Sequence, residues 1–91
     1  MSGVDFQFIQ IWNSYAMIVT QRQRVLQNIL AYIIDSDVSI VALYNAEVSQ
    51  PLPVWTFSPT SKAGEHALKK YTDAVAGYDK TIGRFKELYN L

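Results

Sequence analysis

Residues 68–89 read LKKYTDAVAGYDKTIGRFKELY, and the large apolar side chains in that stretch fall at Leu68, Tyr71, Val75, Tyr78, Ile82, Phe85 and Tyr89. The steps alternate between three and four, which is the period of a helix that buries one narrow seam against another helix. Lys69, Lys70, Asp73, Asp79, Lys80, Arg84, Lys86 and Glu87 occupy the positions between. Seam and solvent face are therefore sharply divided. Ser61 is placed to cap the start of this helix, with Glu65 near the positive end of its dipole and Lys80, Arg84 and Lys86 toward the negative end. The expected helix covers about residues 61–90.

Immediately upstream lies a connection, about residues 49–60, that carries Pro51, Pro53 and Pro59. Each proline removes a backbone donor and biases the residue before it away from helix, so the middle of this segment is not helical. It also holds Leu52, Val54, Trp55 and Phe57, a large apolar content for a loop. These residues are expected either to fold back over the open end of a helix pair or to serve as an aromatic anchor for a partner.

From about residue 4 to 34 there is neither proline nor glycine, which predicts one long helix with Asp5 near its start. Trp12, Val19, Leu26 and Ile33 form one apolar stripe, flanked by Phe8, Tyr15, Ile29 and by Ile9, Ala16, Leu30. Arg22 and Gln23 are the interruptions. A fourth stripe, Ile11, Ile18, Val25 and Tyr32, carries the apolar surface past half the circumference, wider than one neighbouring helix hides. Between Asp5 and Arg22 the remaining face has no charge, only Gln7, Gln10, Asn13, Ser14, Thr20 and Gln21. Amides and hydroxyls of this kind tolerate burial in a protein contact, because they can be hydrogen-bonded without desolvating an ion.

Residues 35–48 fit two patterns. Ile40, Leu43 and Tyr44 keep the phase of the first helix, whereas Val38, Ile40, Ala42 and Tyr44 alternate as a strand would, with Val54 to Phe57 as its partner in a hairpin within residues 36–57. Helix is the expectation, either continuous to about residue 48 or restarted after Asp35-Ser36-Asp37, since Ala42, Leu43, Ala46 and Glu47 are good helix formers. The fold class is thus all-α: one domain over 1–91, a helical hairpin or small helical bundle.

The composition narrows function mainly by exclusion. A chain of 91 residues without cysteine has no disulfide and no thiolate metal site. At this size the core is marginal, and extra stability has to come from helix packing or from other subunits. His66 lies opposite the seam beside Lys62, Lys69 and Lys70, with no orienting carboxylate or nucleophile implied by spacing. Gly3, Gly64, Gly77 and Gly83 make no phosphate-binding pattern, and Asp35 and Asp37 do not share a helix face. No catalytic residue, cofactor or metal ligand is assigned, and no enzymatic activity is expected. Zero net charge speaks against nucleic acid, unless Arg22 and Arg24 line a repeated surface in an assembly. The first residues lack a basic n-region and an h-region, so no secretory signal is expected. The most apolar stretch, Val25 to Tyr44, has Asp35 and Asp37 near its centre, at about 2.5 to 3.5 kcal/mol each in a bilayer, so no transmembrane segment is expected. A soluble product is the expectation, with a virion or an extracellular assembly as compatible destinations.

Ala74, Gly77 and Thr81 form a stripe of small residues on the last helix, suited to close approach of a helix from a neighbouring subunit. With Trp12, Ile18, Trp55 and Phe57, Gly77 completes the candidate contact residues. The expected function is a non-enzymatic structural subunit that builds a homo-oligomer, filament or shell by helix packing. The alternative is a small helical module that caps one partner protein. In outline the order helix, proline-rich connection, helix is similar to type III secretion needle subunits and to some helical virus coat proteins, a likeness of architecture without a shared motif.

Overall fold

The structure, a computed structural model, describes the backbone of residues 3–31 and 39–91 and the side chains of residues 10–31 and 39–91. Three helices are present, α1 (Gly3–Ala31), α2 (Ile40–Val48) and α3 (Lys62–Tyr89), and among the described residues there is no strand. The all-α class holds. α3 begins and ends where its capping residues stand: the Ser61 hydroxyl accepts from the Gly64 N–H at 3.1 Å, and Asn90 takes the left-handed conformation at φ 56° that closes a helix C-terminus. Residues 40–48 resolve as helix rather than strand because Ser39 caps them, its hydroxyl accepting from the Ala42 N–H at 3.3 Å. Residues 32–34 and the break expected at Asp35-Ser36-Asp37 lie outside the described residues.

α1 and α3 run side by side in the same direction. Gln23 of α1 meets Gly77 and Thr81 of α3, and farther along both helices Gln27 and Leu30 lie near Thr81 and Arg84. Two parallel helices need a return path, and α2 with the proline segment supplies it: Tyr44 packs on Phe85, Glu47 reaches back to Arg22, and the Pro53 carbonyl accepts from the Tyr71 hydroxyl. Trp55 then meets Trp12 near the start of the pair. The prolines suit this path, since an extended segment lying along a helix pair has no ladder to donate to. The result is an elongated bundle of 54 × 20 × 18 Å, close to the roughly 44 Å that 29 helical residues span.

The core is a column. Val19 and Leu26 of α1, Tyr44 of α2, and Tyr78 and Phe85 of α3 are buried together, with Tyr71, Val75, Ile82 and Tyr89 half-buried around them. The predicted seam therefore faces inward, but its centre is turned toward the small residues. Gly64, Ala67 and Thr81 are buried, Ala74 packs against the core, and Leu68, Val75 and Ile82 stay half-buried. Small side chains let two helix backbones come close, so the line of tightest contact runs through them while the larger residues fill the flanks.

Candidate functional site

Two polar residues interrupt the apolar pattern of α1, and both organise the fold. The Arg22 guanidinium donates from Nε to Glu47 Oε1 at 2.6 Å, from Nη2 to the carbonyls of Glu47 at 2.8 Å and Gln50 at 2.7 Å, and from Nη1 to the Pro51 carbonyl at 3.0 Å. It thereby ties the last turn of α2, through Glu47, to the first residues of the connection, Gln50 and Pro51, and places a cation at the negative end of that helix. Both side chains of the ion pair are largely covered, at 15% and 12% exposure. Burial alone lowers the affinity of Arg22 for its proton, but the Glu47 carboxylate outweighs it and holds the pKa above the ordinary value. The same guanidinium stands 5.8 Å from the centre of the Tyr78 ring. The Tyr78 hydroxyl is buried beside that guanidinium, and burial raises its pKa above the ordinary value against the opposing charge of Arg22.

Gln23 is the second interruption. Its side-chain amide sits over Gly77, where an added Cβ would lie 2.8 Å from Gln23 Oε1 and 3.1 Å from Nε2. Thr81 completes the contact, accepting from Gln23 at 3.5 Å and donating to the Gly77 carbonyl at 3.1 Å. The small stripe of α3 thus admits α1 of its own chain.

The aromatic residues close the opposite end. Trp12 lies 4.3 Å from Trp55 and 6.2 Å from Phe57, centre to centre, with Tyr15 edge-on at 4.7 Å, and Trp55 continues to Tyr71 at 5.6 Å. The Trp55 indole N–H donates to the Phe57 carbonyl, which turns the loop inward. Of the five candidate contact residues, Trp12 is buried, Trp55 and Phe57 are half-buried in this stack, Gly77 faces Gln23, and Ile18 alone lies on the open surface. Trp55 and Phe57 therefore fold back over the helix pair. His66 is exposed on α3, and among the described residues no group of three His, Asp or Glu side chains is placed to hold a metal.

Large apolar side chains stay exposed at Met17, Val54, Leu88 and Leu91, and in a line along the outer side of α1. Ile11, Ile18 and Val25 are 45%, 41% and 44% exposed, and their spacing of seven puts them in one row. Beside the row stand Ser14, Gln21 and Asn28, all exposed and uncharged, with the Ser14 hydroxyl already donating to the Ile11 carbonyl at 2.7 Å. On the far side of α1, two concavities open between α1 and α3. One, of about 590 Å³, is lined by Asn13, Ala16, Met17, Thr20, Gln23, Lys70, Asp73 and Ala74, and the next, about 300 Å³, by Gln27, Leu30, Ala31, Thr81 and Arg84. Among the described residues no helix is long and apolar enough to cross a membrane.

These features define a class: a small all-α bundle whose first helix is packed on one side and apolar on another. Comparison of the chain with protein families, curated proteins and solved structures gave no match.

Proposed function

We propose that this chain is a non-enzymatic assembly subunit, building a homo-oligomer of the filament or shell kind through the outer side of α1. The observation that carries this is the row Ile11, Ile18 and Val25, left nearly half exposed after the chain has packed its own core. Three branched apolar side chains set in one line about 10.5 Å apart, at 1.5 Å per residue, differ from exposed residues scattered over all faces of a monomer. On one side of the row its neighbours are Ser14, Gln21 and Asn28, and on the other the Arg22 guanidinium is already paired with Glu47 and largely covered, so covering the row exposes no free ion to desolvation.

The occupant is a second copy. Net charge is zero, and along the row only Arg22, which Glu47 neutralises, and Arg24 carry charge, so like-charge repulsion between two copies is small. Each row residue exposes on the order of 80 Å², so covering the row at about 25 cal/mol per Å² returns roughly 6 kcal/mol. That lies low in the roughly 4 to 15 kcal/mol that association costs. One covered row gives a weak contact, and a stable particle needs copies held on more than one side.

The alternative, a small binding module or inhibitor that caps one partner, uses Trp55, Phe57 and the uncharged face of α1; the stacking of Trp55 and Phe57 on Trp12 favours the assembly reading over it. The test compares Ile18→Lys with Leu88→Lys, the latter on α3 at a position 61% exposed. Under negative-stain microscopy, wild type and Leu88→Lys are expected to form particles of the same kind, and Ile18→Lys none, with all three equally helical by circular dichroism. Particles unchanged in Ile18→Lys would refute the proposal.

A further inference from the structure

Resting on that reading, we infer that the contact between copies is heterologous: the Ile11, Ile18, Val25 row of one chain seats in the α1/α3 groove of the next. The two surfaces lie on nearly opposite sides of α1. Thr20 follows Ile18, and Asn13 follows Ile11, by two residues, which is roughly 200° around a helix. A chain can therefore present its row to one neighbour while its groove receives the row of another. A contact between two unlike surfaces does not close on itself as a twofold contact does, so it propagates into a ring or an open filament.

The groove fits this occupant in extent and relief. Its two concavities lie end to end along α1 from Asn13 to Ala31, about 27 Å, parted where Gln23 covers Gly77, and the row from Ile11 to Val25 runs about 21 Å, at 1.5 Å per residue. Its floor is cut low by Ala16, Thr20 and Ala74, so a ridge of branched side chains can enter it as one helix enters the groove of a pair. Neither the row nor that floor carries a formal charge; the charges stand on the walls, Lys70 and Asp73 along one concavity and Arg84 along the other. The groove wall also holds an unmet acceptor, since Asn13 Oδ1 is shielded from solvent and has no hydrogen-bond partner within the chain. Rotation about the broad terminal torsion of Asn13 turns that oxygen to the groove, where Gln21 and Asn28 beside an incoming row carry amide donors.

The test blocks each surface separately and then mixes the halves. Ile18→Lys blocks the row. Thr20→Lys blocks the groove from α1, and Asp73→Lys blocks it from α3 at an exposed position whose single ion pair, with Lys69, is also exposed. By sedimentation velocity each variant alone is expected to be monomeric. At the highest concentrations, needed because a single contact is weak, an equimolar mixture of Ile18→Lys with either groove variant is expected to rise toward twice the 10.3 kDa chain mass and not beyond, because the mixture retains one intact row and one intact groove. Wild type runs on to larger species. If wild type assembles and both groove variants assemble as it does, or the mixtures stay monomeric, the heterologous contact is overturned while the assembly reading stands. A monomeric wild type at every concentration overturns both.

Discussion

α1 and α3 are nearly equal in length, 29 and 28 residues, and lie against each other, yet they treat solvent differently. α3 divides its surface more sharply: Tyr78 and Phe85 are buried, and apart from Leu88 near its end, 61% exposed, its open face is mostly charged, with Lys62, Glu65, Lys69, Lys70, Asp73, Asp79, Lys80, Arg84, Lys86 and Glu87. α1 buries Trp12, Ala16, Val19 and Leu26 just as well, then leaves Ile11, Met17, Ile18 and Val25 in the open among amides. An amphipathic helix finished by its own chain looks like α3. The contrast teaches that the core is complete without the outer row of α1, so that row is surplus to folding.

The largest effect expected within the chain comes from Arg22, the point at which α1 holds the return path. Arg22→Ala leaves the Glu47 carboxylate and carbonyl unpaired in a part-buried site, while the exposed Gln50 and Pro51 carbonyls return to water, and is expected to cost about 2 kcal/mol. Urea denaturation measures this, and a loss below 1 kcal/mol would mean that α2 is held by apolar contacts alone.

A smaller effect separates two glycines of α3. Gly83 has open space where its Cβ would be, so Gly83→Ala is expected to stabilise by about 0.5 to 1 kcal/mol. Gly77→Ala has the same helical gain but must displace the Gln23 amide from 2.8 Å and loosen its bond to Thr81, so it is expected to gain less or to lose stability. Thermal unfolding of the pair reads this directly. Equal gains would show that Gln23 does not hold α1 close to α3.

Much of this fold was legible in the residues, because its signals are local. The seam of α3, its Ser61 cap and the proline segment each follow from spacing or backbone chemistry within a few residues, and the helix bounds fall at the expected caps. The parallel course of α1 and α3 was not legible, since either direction buries the same stripes. Arg22 read as an isolated charge because its partners lie 25 to 29 residues away and three of the four are backbone carbonyls, which leave no mark in a sequence. Gly77 was read as an approach point for a neighbouring copy, and the approaching helix proved to be α1, which reaches it through Gln23. The exposed row was half legible: four apolar stripes exceeded what one neighbour covers, and the structure identifies Ile11, Ile18 and Val25 as the stripe left out.

The most direct test of that surplus is the sedimentation of the wild-type chain over a wide range of concentration. The expected result is an average mass that climbs steadily above 10.3 kDa as concentration rises, without settling at a fixed small multiple. A single species of 10.3 kDa, unchanged up to millimolar concentration, would contradict the claim that the outer face of α1 is built for another copy.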